Sequence, residues 1–303
     1  MGQDHFDVHS HVTNAIIAAM EAGAEAWQMP WHRSGLATGR PVNIASDKAY
    51  RGINVLSLWI AAEANGYQHG LWGTYRQWQA KGAQVRKGEK SSVIVFYKEL
   101  ERPRDDDPSE TETVLFARAS RVFNVAQVDG FEVPSPADGV ALEDRINPTT
   151  AADELAAAAG ATVCVQGDQA YYSPRDDRIV MPGRERFTGS ATATPTEAWA
   201  STLLHELTHW SGAANRLDRN LTGRFGDEAY AMEELIAELG AAFLCADLDI
   251  STSPRADHAA YLAIWLKVLK ADKKAIFTAA SAASRAAEYL GNMQHRPDHT
   301  STP

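Results

Sequence analysis

Cysteine is nearly absent from this chain of 303 residues: there are two, Cys164 and Cys245, far apart and in no C-x-x-C spacing. Structural disulfides are therefore not expected, and both thiols read as buried and free. No apolar run approaches the roughly 18 residues that a bilayer span requires, so no membrane partner is expected. The start, M-G-Q-D-H-F-D, has no basic-then-apolar signal segment, and Phe6 stands where a myristoylation site needs Ser or Thr. The expected location is the cytoplasm. No internal repeat is visible, and basic residues are outnumbered, 29 against 39, for a net charge of -10. Taken as a whole, that balance disfavours nucleic acid as a partner.

The distribution of charge argues the other way. Arg40 to Lys98 holds nine basic residues and three acidic ones, a local +6, so the remainder carries -16. One half suited to a polyanion and another that is not are implied, and a chain of this length that is 45% hydrophobic can bury the core of two domains. Within the basic half, L-W-G-T-Y-R-Q-W-Q-A-K-G-A-Q-V-R-K-G-E-K interleaves aromatics with cations. Unpaired bases stack on aromatic faces while Arg and Lys follow the phosphates, so this mixture suits a single strand of nucleic acid. The candidate contacts are Arg40, Lys48, Tyr50, Arg51, Trp72, Arg76, Trp78, Arg86, Lys87 and Lys90. The same residues also admit a blander reading, with Trp72, Tyr75 and Trp78 at helical spacing as core and R-K-G-E-K as a solvated turn.

The chemistry concentrates in L-L-H-E-L-T-H-W, Leu203 to Trp210. On a helix turning about 100° per residue, His205 and His209 lie about 40° apart on one face, so both imidazoles can reach one ion. Glu206 sits a further ~100° round, poorly placed to be a ligand but able to bind the ion's water and act as general base. A second helical stretch, Ala229 to Asp247, puts Leu235, Leu239, Ala242 and Phe243 on a core arc. Glu234 and Glu238 fall at the margin of that arc with Tyr230 one turn earlier, while Glu233 falls nearly opposite and is expected to face solvent. A carboxylate pair at a core edge needs a compensating charge, and a cation would supply it. His205, His209 and Glu234 are the expected ligands, leaving a position for water, and Glu238 is expected to hydrogen-bond a ligating imidazole. Zn²⁺ fits two His and a carboxylate; Mn²⁺ and Fe²⁺ fit as well. Tyr230 reads equally as a donor to a developing oxyanion and as a core-edge aromatic.

Taken in order, Val8 to Ala26 reads as an amphipathic helix, Trp27 to Lys48 as an irregular packed loop, and Ile53 to Asn65 as a helix stopped by Gly66. Val93 to Lys98 and Thr113 to Val125 read as strands joined by an acidic loop, completing a small α+β unit. After a proline-rich, acidic linker come a helix near Ala151 to Ala159 and strands at Thr162 to Val165, Ala170 to Ser173 and Arg178 to Met181. The last two form a hairpin whose edge could receive an extended peptide. Helices at Thr196 to Ser211, Ala229 to Asp247, His258 to Leu269 and Lys273 to Tyr289 follow, and a polar tail ends the sequence.

Four separated motifs carry a resemblance over nearly the whole chain: Y-R-G-I-N through T-Y-R-Q-W-Q-A-K-G-A-Q-V-R-K-G-E-K, A-Y-Y-S-P-R-D-D-R-I-V-M-P, H-E-L-T-H-W-S-G, and Y-A-M-E-E-L-I-A-E-L-G-A-A-F-L. Together they resemble the ArdC-type antirestriction proteins of conjugative plasmids. The resemblance implies an N-terminal domain that binds single-stranded DNA, a C-terminal zincin-like metallopeptidase domain, and protection of incoming plasmid DNA from host restriction. It also implies a protein substrate in the host. The N-terminal module is found in some plasmid primases too. The expected fold is α+β, with the DNA-binding domain at 1–128, a linker at 129–149, the metallopeptidase domain (short antiparallel sheet plus active-site helices) at 150–293 and the tail at 294–303. The C-terminal pattern is similar also to the ImmA/IrrE peptidases, in which Glu-x-x-Ala-Asn follows H-E-x-x-H. Here the run is Glu234-Leu-Ile-Ala-Glu238, so Glu stands in place of Asn. A regulatory protease, or a DNA-coating or restriction-enzyme-blocking protein with a purely structural metal site, are the alternative readings.

Overall fold

The computed structural model describes residues 7–24, 29, 31–32, 39–104, 111–133, 147–190, 193–221, 227–252 and 258–294. Helix α1 (Val8–Gly23) begins where Asp7 accepts a hydrogen bond from the Ser10 N–H at 3.1 Å, and it buries Val12, Ile16 and Met20. Strand β1 (Val42–Asn43) leads to α2 (Ile53–Asn65), which closes on Gly66 in the left-handed conformation at φ 67°. Then come β2 (Leu71–Gly73), α3 (Tyr75–Ala80), β3 (Gln84–Val85) and the long antiparallel pair β4 (Ser92–Pro103) and β5 (Thr111–Asn124). These strands form one sheet in the order β1-β2-β5-β4, while β6 (Val128–Asp129) pairs with β3 in a separate ribbon. Helix α2 is keyed to β4 through the buried Asn54 amide, which donates to the Val95 carbonyl at 2.8 Å and accepts from its N–H at 2.7 Å.

The C-terminal half opens with α4 (Pro148–Ala159), followed by β7 (Thr162–Val165), β8 (Tyr171–Ser173) and β9 (Arg178–Met181) in a sheet ordered β7-β9-β8. Strand β7 runs parallel to the central β9 and β8 antiparallel to it, so this small sheet is mixed, not purely antiparallel. Four helices complete the fold: α5 (Pro195–Ser211), α6 (Glu228–Asp247), α7 (His258–Ala271) and α8 (Ala275–Gln294). Among the described residues no helix is long and apolar enough to cross a membrane.

The segment read as a linker is partly structured. Asp129 belongs to β6, Pro148 and Thr149 open α4, and residues 134–146 lie outside the described residues, as do 105–110 of the acidic loop and 295–303 of the tail. The two halves also share a core: Val12, Trp59, Val95, Leu204, Phe243 and Ile276 belong to one buried cluster. Polar links reinforce the seam, with Arg40 on Asp247 at 2.7 Å and the Gly52 N–H on Ser284 Oγ at 2.7 Å. A smaller cluster of Ile44, Trp78, Val85 and Val128 lies beneath the β3/β6 ribbon.

Candidate metal centre

Helix α5 is started firmly. Thr194 caps the Glu197 N–H, Glu197 reaches back to the Thr194 N–H at 2.8 Å, and Pro195 occupies the first turn, where a missing N–H costs nothing. Almost four turns on, α5 meets α6 at a point where side chains leave no room. A Cβ added to Gly240 would stand 2.4 Å from Thr208 Cγ2, so only glycine permits this approach. The approach brings His205 and His209 of α5 against Glu234 of α6. One ligand atom from each can be chosen so that all three lie within 4.8 Å of one another, and no other such His, Cys, Asp or Glu group occurs among the described residues.

The carboxylates behind the rings define what this group wants. His205 Nδ1 lies 3.0 Å from Glu238 Oε1 and His209 Nδ1 lies 3.2 Å from Glu233 Oε1, so each ring in its neutral form keeps its proton on Nδ1. The two Nε2 atoms then turn lone pairs toward each other across 3.1 Å, with Glu234 oxygens 3.5 Å from each. Two lone pairs and a buried carboxylate converging on one point are compensated by a cation. Without a metal a proton takes that part. Burial opposes charge on His209, but hydrogen bonds to Glu233 and Glu234 outweigh it and push its pKa up to about 10. Burial likewise opposes ionisation of Glu234, yet the two histidines hold its carboxyl far below the ordinary range. The donor set therefore fits a divalent cation.

Glu233 is a correction to the sequence reading, which turned it to solvent. It is 6% exposed, and besides His209 it takes Nε and Nη2 of Arg219 at 3.1 and 2.9 Å. The wheel located the core arc correctly, but the chain after α5 folds back over the opposite margin and brings Arg219 with it. Arg219 also donates to Ser211 Oγ at 3.0 Å, tying that return to the end of α5.

Glu206, 3% exposed, lines a cavity of about 240 Å³ together with both histidines, Glu234, Tyr172 and Tyr230. Its charge is near enough to favour protonated His209. The Tyr230 hydroxyl hydrogen-bonds Glu234 and Tyr261; burial and the adjacent Glu234 charge raise its pKa strongly. On the opposite wall stands β8, an edge strand contributing Tyr171 and Tyr172. It is held in place by Arg216, which stacks on Trp210 at 3.8 Å and donates to Tyr172 Oη at 3.1 Å and to Asp177. Burial and the Asp177 carboxylate push the Tyr172 hydroxyl up to about 12.

This geometry has counterparts. Residues 150–282 match a zincin-like metallopeptidase family, and residues 6–123 match the N-terminal domain of anti-restriction factor ArdC. Two crystal structures of the antirestriction ArdC protein from the R388 plasmid are similar to this chain, each with a TM-score of 0.75. The metal-free one is 37% identical, covering 95% of this chain and 98% of that one. The Mn(II)-bound one is 38% identical, covering 96% and 99%. The chain belongs to the ArdC antirestriction family. Protein y4eC of Sinorhizobium fredii is similar over most of both chains, 48% identical over 294 residues, covering 95% of this chain and 92% of that protein. DNA primase TraC of Escherichia coli is 35% identical over 298 residues; the match spans 93% of this chain but 20% of that longer protein. As an ArdC-family protein it thus carries a zincin-like metallopeptidase domain with a His205–His209–Glu234 metal-binding group.

The ArdC N-terminal domain sorts the candidate DNA contacts sharply. Trp72 and Trp78 are fully enclosed at 0% exposure, which removes both as stacking platforms. Trp72 lies in β2 rather than on a helix, and Trp78 Nε1 donates to the Phe123 carbonyl at 3.0 Å beneath Gly73. Tyr50 is buried and takes a hydrogen bond from Asn43 at 3.0 Å. The Arg40 guanidinium is committed to Asp247 and to the Phe243 ring, and Arg86 to Glu89, Asp129 and the carbonyls of Ala126 and Val128. Arg51 is exposed but pairs with Glu288 at 2.8 Å. Lys48, Arg76, Lys87 and Lys90 are exposed. Tyr75, 41% exposed, faces the same open groove as Lys87 and Phe123.

Proposed function

We propose that this protein is an antirestriction factor of a conjugative plasmid or mobile element that binds single-stranded DNA through its N-terminal half and hydrolyses a peptide bond of a host protein at the His205–His209–Glu234 group. Zn²⁺ is the proposed resident ion, with Mn²⁺ the alternative that the Mn(II)-bound relative supports. The observation carrying the hydrolytic reading is Glu206: a buried carboxylate that is not needed as a ligand yet lines the same cavity as both histidines. A closed structural metal site has no use for such a group.

A divalent cation bound here supplies Lewis-acid polarisation of a peptide carbonyl and activation of a water molecule. Glu206 takes the proton as the water oxygen bonds to the carbonyl carbon, and delivers it to the amine as the C–N bond breaks. Tyr230, released from Glu234, donates to the developing oxyanion. Edge strand β8 offers its outer backbone to an extended peptide, which adds as a further strand beside the cavity. On the DNA side the groove lined by Tyr75 and Lys87 takes the stacking and phosphate roles, with the exposed Lys90 three residues further along the chain as an additional cation.

The test is Glu206→Gln, which keeps shape and ligands but removes the base. Metal content should be unchanged while protection of entering DNA in a conjugation assay is lost. Full protection by that variant would sink the hydrolytic reading and favour a protein that coats the strand or blocks the restriction enzyme, for which the exposed Tyr75–Lys87 groove is the supporting observation.

A further inference from the structure

All three metal-binding side chains belong to the C-terminal half, yet one carboxylate behind them is contacted by the other half. Glu238 presents Oε1 to His205 Nδ1 at 3.0 Å and Oε2 to Nε2 of His32 at 3.7 Å. The side chains of His32 and Glu238 are 2% and 7% exposed, so this contact is shielded from solvent. The tautomer of His32 follows from its other nitrogen, because Nδ1 accepts the Met29 N–H at 3.0 Å. The ring proton therefore sits on Nε2, the atom aimed at Glu238.

The short stretch bearing His32 is seated among C-terminal helices. The Trp31 ring packs edge-on against Trp265 at 6.2 Å, and its carbonyl accepts from Thr252 Oγ1 at 3.3 Å. A carboxylate that orients a ligating imidazole must itself be fixed, and one oxygen bound to His205 leaves the carboxylate plane free to turn about its own axis. An N–H directed at the second oxygen from 3.7 Å, beyond direct hydrogen-bond length but shielded from solvent, favours one orientation of the carboxylate electrostatically and stabilises the negative charge that makes His205 the better ligand.

We propose that His32 is a positioning residue from the N-terminal half, whose ring N–H, directed at Glu238, acts electrostatically through that carboxylate to hold His205 in its ligating orientation. The metal affinity of the C-terminal half then depends on the seating of an N-terminal segment. The proposal rests on the metal-binding reading of the site and is independent of whether peptide hydrolysis occurs.

Mn²⁺ titration of the full-length chain by calorimetry tests it, with folding verified by circular dichroism. His32→Leu should weaken Mn²⁺ binding by about three- to tenfold, less than the ~10–100-fold typical of a group that touches the ligand itself. His32→Gln places an amide N–H near the same point and should bind within about twofold of wild type. In a Glu238→Gln background the leucine substitution should add no further loss, since the effect passes through that carboxylate. Should His32→Leu fail to fold, His32→Asn replaces it, its amide being too short to reach Glu238. Wild-type affinity in the folded leucine or asparagine variant, equal losses for glutamine and leucine, or a loss that persists without Glu238 would each overturn the proposal. A wild-type protein that binds no Mn²⁺ or Zn²⁺ would overturn it together with the metal assignment.

Discussion

Gly240→Ala should loosen the metal centre without altering any of its ligands. The added Cβ would stand 2.4 Å from Thr208 Cγ2, 2.8 Å from its Oγ1 and 3.2 Å from its Cβ, whereas ordinary contact begins at 3.4 Å. Thr208 cannot swing away, being 0% exposed and bonded through Oγ1 to the Leu204 carbonyl at 2.8 Å. Helices α5 and α6 must therefore part by about 1 Å, because a close-packed interior has no slack to absorb the atom locally. Overpacking of this kind costs about 1–3 kcal/mol, and the better helix propensity of alanine recovers about 1 kcal/mol, so global stability changes little. Metal affinity is the sensitive readout. Ligand distances tolerate only about 0.2 Å, and His209 is adjacent in sequence to Thr208, so a tenfold or greater loss, about 1.4 kcal/mol, is expected. Thr208→Ala removes the obstructing methyl and hydroxyl; in that background Gly240→Ala should cost almost nothing. Calorimetric Mn²⁺ titration of the four proteins, with urea unfolding alongside, gives the coupling directly. Equal losses in both backgrounds, or none in either, would refute the close-approach account of how the site is assembled.

Glu233→Gln and Arg219→Leu should each weaken metal binding by about 10–100-fold, since both fix the ring of His209; affinity unchanged in either variant would restore the view of Glu233 as a surface residue. The metal-free protein should lose stability on the alkaline side. His209 has a folded pKa of about 10 against an ordinary 6.5, so its contribution is complete below about pH 6.5 and disappears as pH rises toward 10. The depressed Glu234 carboxyl contributes above its ordinary 4.5 and is lost in acid. Thermal unfolding should show the stabilisation by Mn²⁺ growing from pH 6 to pH 8.5, because the ion displaces the His209 proton; a constant increment would contradict this. For DNA, Lys87→Gln with Lys90→Gln should flatten the salt dependence of single-strand affinity by a slope of about 1.4, and Tyr75→Ala should cost about 1–3 kcal/mol. Arg86→Gln should instead lower stability, its guanidinium being spent on Glu89 and on backbone carbonyls.

What could be read in the sequence was whatever depends on neighbours along the chain. Gly66 ends α2 at the expected residue because a left-handed cap is a one-residue requirement, and H-E-x-x-H fixes the relation of His205 to His209 because a helix turn is a local constant. The Trp72 error was avoidable on the same terms. Thr74 and Gln77 form a capping box that starts α3 at Tyr75, leaving Trp72 outside the helix and on a strand. Other placements depend on contacts that periodicity does not contain. A helical wheel shows which face of α6 meets the core, but not that the chain returning from α5 will cover the opposite margin with Arg219. Nothing around His32 announces that it will meet a carboxylate 206 positions later. The ligands of a metal are set by helix geometry and are legible; the groups that orient them come from wherever the fold passes closest. In this protein those groups come from a returning loop on one side and from the N-terminal half on the other, so a break in either should appear first in the metal's affinity.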